Sequence, residues 1–424
     1  MTSDQMQLLV AEAVTALAPT FTKIDLHVKG NLARVLQAFR DRRVGAHHFA
    51  SVSGYGHGDM GRDVLDQVFA QIMGAEAAAV RVQFVSGTHA IACCLFGILR
   101  PLDELLSVVG APYDTLEEVI GYPLTSDSKG DSKGDSQGPN YAGSLKDFGI
   151  TYRQVELTTD GSVDWEALAK AVKPQTRMVL IQRSCGYAWR QSLSIEDIAR
   201  IIKLVKQQNP NTVCFVDNCY GEFISDREPT AVGADIIAGS LIKNPGGTIA
   251  TAGGYVAGKA EYVELAAQRL TAPGIGREGG ATFDLNRLLF QGLFLAPQMV
   301  GEAMKSSHLA AYVFNQLGYE VKPLPFAPRH DIIQAIQLGS AKKLIEFCRN
   351  LQRFSPIDSY VDPIPGGMPG YASQLVMAGG TFIDGSTLEL SADGPLREPY
   401  TVFLQGGTHW THLAIALENF QLED

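Results

Sequence analysis

Val213 to Gly258, VCFVDNCYGEFISDREPTAVGADIIAGSLIKNPGGTIATAGGYVAG, is the stretch whose reading decides the fold. It begins with a short apolar run, Val213 to Val216, bounded by Asn211 and Asp217, which reads as a buried strand. Asp217 falls where that strand ends, at the sheet edge where ligand sites of open α/β folds collect. A second apolar segment, Ala234 to Leu241, runs into Ser240-Leu-Ile-Lys243. Asn-Pro-Gly-Gly follows, a turn that continues neither a helix nor a central strand. A lone lysine there would ordinarily be a surface side chain with its amine in water. Asp217 changes that reading, because an amine and a carboxylate at one sheet edge are what pyridoxal 5′-phosphate needs. Lys243 would form the Schiff base, and Asp217 would keep the pyridine nitrogen protonated so that the ring accepts electrons.

Around this stretch strands and helices alternate. Helices are expected over 164–172 and 194–206 and strands over 151–157, 178–182 and 213–217, with Ser194 and Asp197 opening the second helix as a capping box. Such alternation implies right-handed crossovers and a mainly parallel sheet covered on both faces. Upstream, Ala79 to Val85 reads as a strand, Ser86-Gly87-Thr88-His89 as a small-residue turn, and AIACCLFGIL as a helix. Free N–H groups and the helix dipole make such a turn an anion site. It lacks the Gly-Lys-Thr ending of a nucleotide loop. Ser86 or Thr88 could also simply cap the helix, and the two roles are compatible. His89 reads as a local hydrogen-bonding partner.

Residues 5–17 and 31–40 suggest two short helices in an N-terminal arm covering 1–60. A large domain is expected over 61–300, with a further strand from Leu105 to Val109 and a helix over 115–120. Residues 125–138, TSDSKGDSKGDSQG, hold no large apolar residue and read as a mobile surface insertion. Leu285 to Glu302 reads as a long helix leaving the large domain. A smaller domain, 301–424, should mix strands (319–322, 400–404) with a helix (340–353).

With 424 residues, 46% apolar and 19% charged, the chain can bury two sizeable cores. A net charge of −10 argues against nucleic acid or an anionic membrane as partner. No apolar run approaches the roughly 18 residues of a spanning helix. The acidic start MTSDQ lacks a signal peptide's basic region. The six cysteines show no metal-ligand spacing, so reduced thiols in a cytoplasmic protein are expected. His409 and His412 have a metal-like spacing but no acidic or thiol partner nearby, and no metal is expected.

Seven words carry a resemblance: VSGTHAIA (85–92), LLSVVGAPYDTLEEVIG (105–121), IQRSCGYAWR (181–190), VDNCYGEF (216–223), GSLIKNPGG (239–247), LTAPGIGREGGAT (270–282) and LSADGPLREPY (390–400). In order and spacing the chain resembles fold-type I pyridoxal-phosphate enzymes of the cystathionine and methionine lyase group. It is most similar to the bacterial aluminium-resistance, methionine γ-lyase-like proteins. The resemblance implies an aspartate-aminotransferase-like α/β fold, with the cofactor phosphate cradled by Ser86, Gly87 and Thr88 and with Ser240 and Lys243 beside the ring. It implies Tyr113 stacked on the pyridine. It also implies a homodimer or homotetramer with shared sites, in which Tyr55 and Arg62 of SVSGYGHGDMGRD reach the neighbour's phosphate; His57 is the alternative to the tyrosine. Arg397, set between two prolines, would bind the substrate carboxylate with two parallel hydrogen bonds. One of Arg183, Ser184, Tyr187 and Trp189 would contact the cofactor's phenolic oxygen or the substrate.

The expected activity is a carbon–sulfur lyase acting on cystathionine, cysteine or methionine by β- or γ-elimination, with Tyr113 protonating the leaving sulfur. Two alternatives remain: another reaction of the same cofactor, of aminotransferase or aldolase type, and a resistance or binding factor without turnover.

Overall fold

The computed structural model describes residues 2–121, 142–371 and 373–421, so the 125–138 insertion lies outside the described residues. Among the described residues, twelve strands form two sheets. The first seven are β1 (Ala77–Arg81), β2 (Glu104–Ser107), β3 (Thr151–Gln154), β4 (Thr176–Gln182), β5 (Val213–Asp217), β6 (Ile236–Ser240) and β7 (Gly254–Gly258). They pair in the order β1-β7-β6-β5-β4-β2-β3, with only β7 antiparallel to its neighbours. All five residues of β5 and of β6 are buried, as strands covered on both faces must be. The helix Ile195–Gln208 buries Ile195, Ile198, Ile201, Ile202 and Val205 on that sheet, and Ser194 and Asp197 form its capping box.

The second sheet is antiparallel throughout: β8 (Glu320–Lys322), β9 (Gln334–Gln337), β10 (Leu375–Ala378), β11 (Ser391–Pro395) and β12 (Thr401–Gln405), in the order β10-β11-β12-β9-β8. Its core is separate, centred on Phe314, Phe347, Leu351, Leu404 and Leu413.

Two long helices span both cores. Asn286–Gln316 gives Leu289, Phe290 and Leu293 to the first and Leu309, Val313 and Phe314 to the second. It continues well past the expected end at Glu302. At the N-terminus, one 39-residue helix, Ser3–Asp41, replaces the two short helices expected. Pro19 does not break it, because the buried stripe keeps its spacing of three and four from Met6 through Leu17, Phe21 and Ile24 to Ala38. Packing along that stripe outweighs the one backbone donor that proline lacks. β1 also ends earlier than expected. The Arg81 guanidinium is held by Asp66 at 2.7 Å, and the chain then turns toward Ser86.

Candidate active site

A cavity of about 300 Å³ opens where the C-terminal ends of β4, β5 and β6 face the second sheet. Asp217 ends β5, Ser240 ends β6, and Lys243 follows in the short turn Asn244–Gly246. That turn is packed so closely that a Cβ on Gly247 would lie 2.2 Å from the Gly292 carbonyl oxygen, so the long helix fixes the position of Lys243. Ser86, Gly87, Thr88, Tyr113, Asp217, Ser240 and Lys243 therefore share one cavity, as the sequence implied.

Ser86 caps the helix Gly87–Ile98, its hydroxyl accepting from the His89 N–H at 3.1 Å. His89 Nδ1 in turn accepts from the Val85 N–H, the local role expected. Cysteine and serine close in on Gly87: a Cβ there would meet Ser240 Cβ at 3.2 Å and Cys219 Sγ at 3.3 Å. Glycine keeps the first N–H groups of the helix open to the cavity.

Asp217 is buried, which pushes its carboxyl pKa up. The Cys219 N–H, donating at 3.1 Å, and the charge of Lys243 oppose the shift without cancelling it. A cation against this carboxylate is what would bring the pKa back down. Lys243 is half-buried, with its Nζ 3.9 Å from the centre of the Tyr220 ring. Burial alone would lower its pKa, but the Tyr220 hydroxyl, Cys219 and Asp217 together raise it. The Tyr113 hydroxyl is hydrogen-bonded to that of Tyr371, and burial keeps Tyr113 neutral by raising its pKa well above the usual phenol range. Four polar atoms lining the cavity have no partner: Gln182 Oε1, Ser386 Oγ, Thr387 Oγ1 and Ser391 Oγ.

These residues fit pyridoxal 5′-phosphate. An open helix start takes a phosphate, a buried carboxylate without a full counter-charge takes a pyridinium, and the Lys243 amine lines the same cavity.

Three other expected residues do not line this cavity, two of which, Tyr55 and Arg62, are expected at a neighbour's site. Arg397 lines a smaller cavity of about 260 Å³, together with Tyr113, Gln182, Cys185, Tyr187 and Arg190. Arg397 stands in the turn between Pro395 and Pro399, just past strand β11, Ser391–Pro395. It is Asp393 that the strand presents to the main cavity, and Arg397 is carried past it. Arg62 is buried within its own chain, donating from Nη1 to the carbonyls of Gly56 at 2.7 Å and Gly280 at 3.2 Å and pairing with Asp63 at 3.0 Å. Tyr55 is 84% exposed, outside the cavity of its own chain. Of the group after β4, Tyr187 and Ser184 line the cavity, and the Ser184 hydroxyl donates to Asp331 at 2.8 Å. Arg183 is buried against Asn218 and Glu228, and Trp189 packs under Lys322. His412 Nε2 meets the Phe354 carbonyl, and no group of three or more metal-type ligands occurs among the described residues.

Sequence reasoning did not single out Cys219, Tyr220, Tyr371 or Asp393, all of which line the cavity. Cys219 and Tyr220 could have been found, since they directly follow the strand-end Asp217. Tyr371 and Asp393 could not, because they arrive from the second sheet's side.

Residues 6–422 match the model of the methionine gamma-lyase family. The chain belongs to that family. It is 47% identical to the uncharacterised protein YnbB of Bacillus subtilis over 384 residues, 91% of this chain and 88% of that one. Among solved structures it is similar to a carbon–sulfur lyase involved in aluminium resistance from Clostridium novyi, with a TM-score of 0.90 and 46% identity over 98% of this chain and 94% of that one. At 14% identity and a TM-score of 0.60, with 93% of this chain and 95% of the other covered, the pyridoxal 5′-phosphate-dependent protein YhfS of Escherichia coli shares the fold alone. The fold is the fold-type I, aspartate-aminotransferase-like one that the sequence implied. No helix among the described residues is long and apolar enough to cross a membrane.

Proposed function

We propose that this protein is a pyridoxal-phosphate-dependent carbon–sulfur lyase acting on a sulfur amino acid of the cystathionine, cysteine or methionine type. The observation that carries this reading is that the buried Asp217 and the half-buried Lys243 line one cavity beside the open helix start at Gly87. When bound, the cofactor supplies an electron sink conjugated to the substrate's Cα. Lys243 would hold it covalently, and the Lys243 amine would serve as the base for the Cα proton. Asp217 holds a proton at the ring nitrogen through its buried carboxylate. Gly87 and Thr88 N–H groups, with the Ser86, Thr88 and Ser240 hydroxyls, bind the phosphate. Tyr113, kept neutral by burial, packs on the ring and offers its hydroxyl proton to the leaving sulfur.

Borohydride treatment of the cofactor-loaded protein followed by peptide mapping tests the site: the label is expected on Lys243 and is lost in Lys243→Ala. A label on another lysine would overturn the assignment. Release of thiol, ammonia and a keto acid without an amino acceptor is expected; a requirement for an acceptor would favour an aminotransferase instead.

A further inference from the structure

The small-domain wall of the cavity carries a negative charge that the proposed chemistry leaves unused. β11 places Ser391 and Asp393 two residues apart, and both line the cavity. Asp393 is only 9% exposed. Its Oδ2 accepts from Gln405 Nε2 at 3.2 Å, and the Tyr187 hydroxyl also hydrogen-bonds to it. The rings of Tyr113, Tyr187 and Tyr371 stand together on this side, with centroids 5.6 to 5.9 Å apart. Ser391 Oγ, buried in the same wall, has no partner. An exposed carboxylate, Asp384, sits at the rim.

Among the described residues, Lys243 is the one basic side chain lining this cavity, and the lyase reading commits its amine to the cofactor. A buried carboxylate left without a cation is costly, and ring faces attract cations. We propose that Asp393, with the faces of Tyr187 and Tyr371, recognises a positive charge on the substrate's side chain, so that the preferred substrates are sulfur-linked amino acids ending in an ammonium. This inference rests on the lyase reading of the site.

The charge should be pH-sensitive. Burial pushes the Asp393 carboxyl up to about 6, against the hydrogen bonds from Tyr187 and Gln405 and the charge of Lys243. The other titratable groups facing it are Tyr113, Tyr220, Tyr371 and Cys348, all kept neutral by burial. Above that range the carboxylate is ionised and holds an ammonium; below it the attraction fades.

The test compares S-(2-aminoethyl)-L-cysteine with its neutral isostere S-propyl-L-cysteine, by rapid-mixing titration of the cofactor-loaded protein's visible spectrum. The α-amino and carboxylate groups are common to both, so their titration cancels in the ratio of dissociation constants. The aminoethyl compound should bind at least about tenfold tighter at pH 8, with the ratio shrinking toward pH 5. In Asp393→Asn the ratio should approach one at both pH values, and Asp393→Glu should keep a preference. A ratio near one in the unaltered protein, or one unchanged by Asp393→Asn, overturns the inference. Should Asp393→Asn fail to take up cofactor, the unaltered protein decides, since a ratio independent of pH also overturns it. Spectral responses to both compounds without preference sink this inference alone, whereas no response to either sinks the lyase reading with it.

Discussion

Asp217 and Glu222 are both buried carboxylates near the end of β5, yet they are set up for different work. Asp217 lines the cavity; Glu222 does not, and its Oε1 accepts from the Tyr255 hydroxyl at 2.7 Å. Asp217→Asn should still bind cofactor but lose turnover at least about 100-fold, because a neutral amide no longer holds the ring nitrogen's proton. Near-normal turnover with an unaltered visible spectrum would show that Asp217 has another task. Glu222 acts on stability. Burial raises its pKa from 4.5 to about 8, so the folded chain keeps a proton that the unfolded chain releases. Stability contributed by this group is therefore full below about 4.5, falls as the pH rises toward 8, and levels off above it. Glu222→Gln should flatten that part of the profile in urea unfolding between pH 5 and 8. An unchanged slope would mean that Glu222 is ionised in the fold.

Elements of the large sheet were legible because strands buried on both faces leave an unambiguous apolar run, as in VCFVD and MVLIQ. β11 was not. Its sequence, SADGP, holds no apolar run, and it pairs with β12, which comes so close that a Cβ on Gly394 would lie 2.6 Å from the Thr401 oxygen. That tertiary contact is invisible in local sequence, and it is what brings Asp393 to the cavity. The N-terminal helix was read as two short ones over 5–17 and 31–40, but packing along its buried stripe carries one helix through Pro19. Two glycines test that packing. Gly301 faces the N-terminal helix, where a Cβ would lie 2.3 Å from Val28 Cγ2. Gly301→Val should wedge the two long helices apart and cost about 1–3 kcal/mol. Gly30, exposed in the same N-terminal helix with nothing within 4 Å, has room for a methyl group. Gly30→Ala should raise the melting temperature, gaining about 0.5–1 kcal/mol. If both changes shifted it in the same direction, the packing argument would fail.

For the whole molecule, the open question is whether one chain completes its own site. Tyr55, Val85 and Phe283 are 84%, 84% and 68% exposed and lie on connected segments. The Gly280 N–H donates to the Tyr55 carbonyl, and Gln83 Nε2 donates to that of Ala281. Large apolar side chains gathered beside the Ser86-Gly87-Thr88 turn suit a second copy of this chain, which would bring Tyr55 to its neighbour's cavity. Arg62 is suited to a different role, because its guanidinium is already bonded to Gly56, Gly280 and Asp63. Arg62→Ala should chiefly loosen the loop and lower the melting temperature, whereas Tyr55→Ala should keep the fold and weaken cofactor binding. Subunits carrying Lys243→Ala and Tyr55→Ala, each inactive alone, should then regain activity when mixed. In the mixed dimer one site has an intact Lys243 and receives an intact Tyr55 from the other chain. Full activity of an isolated monomer, or no rescue after demonstrated subunit exchange, would show that each chain works alone.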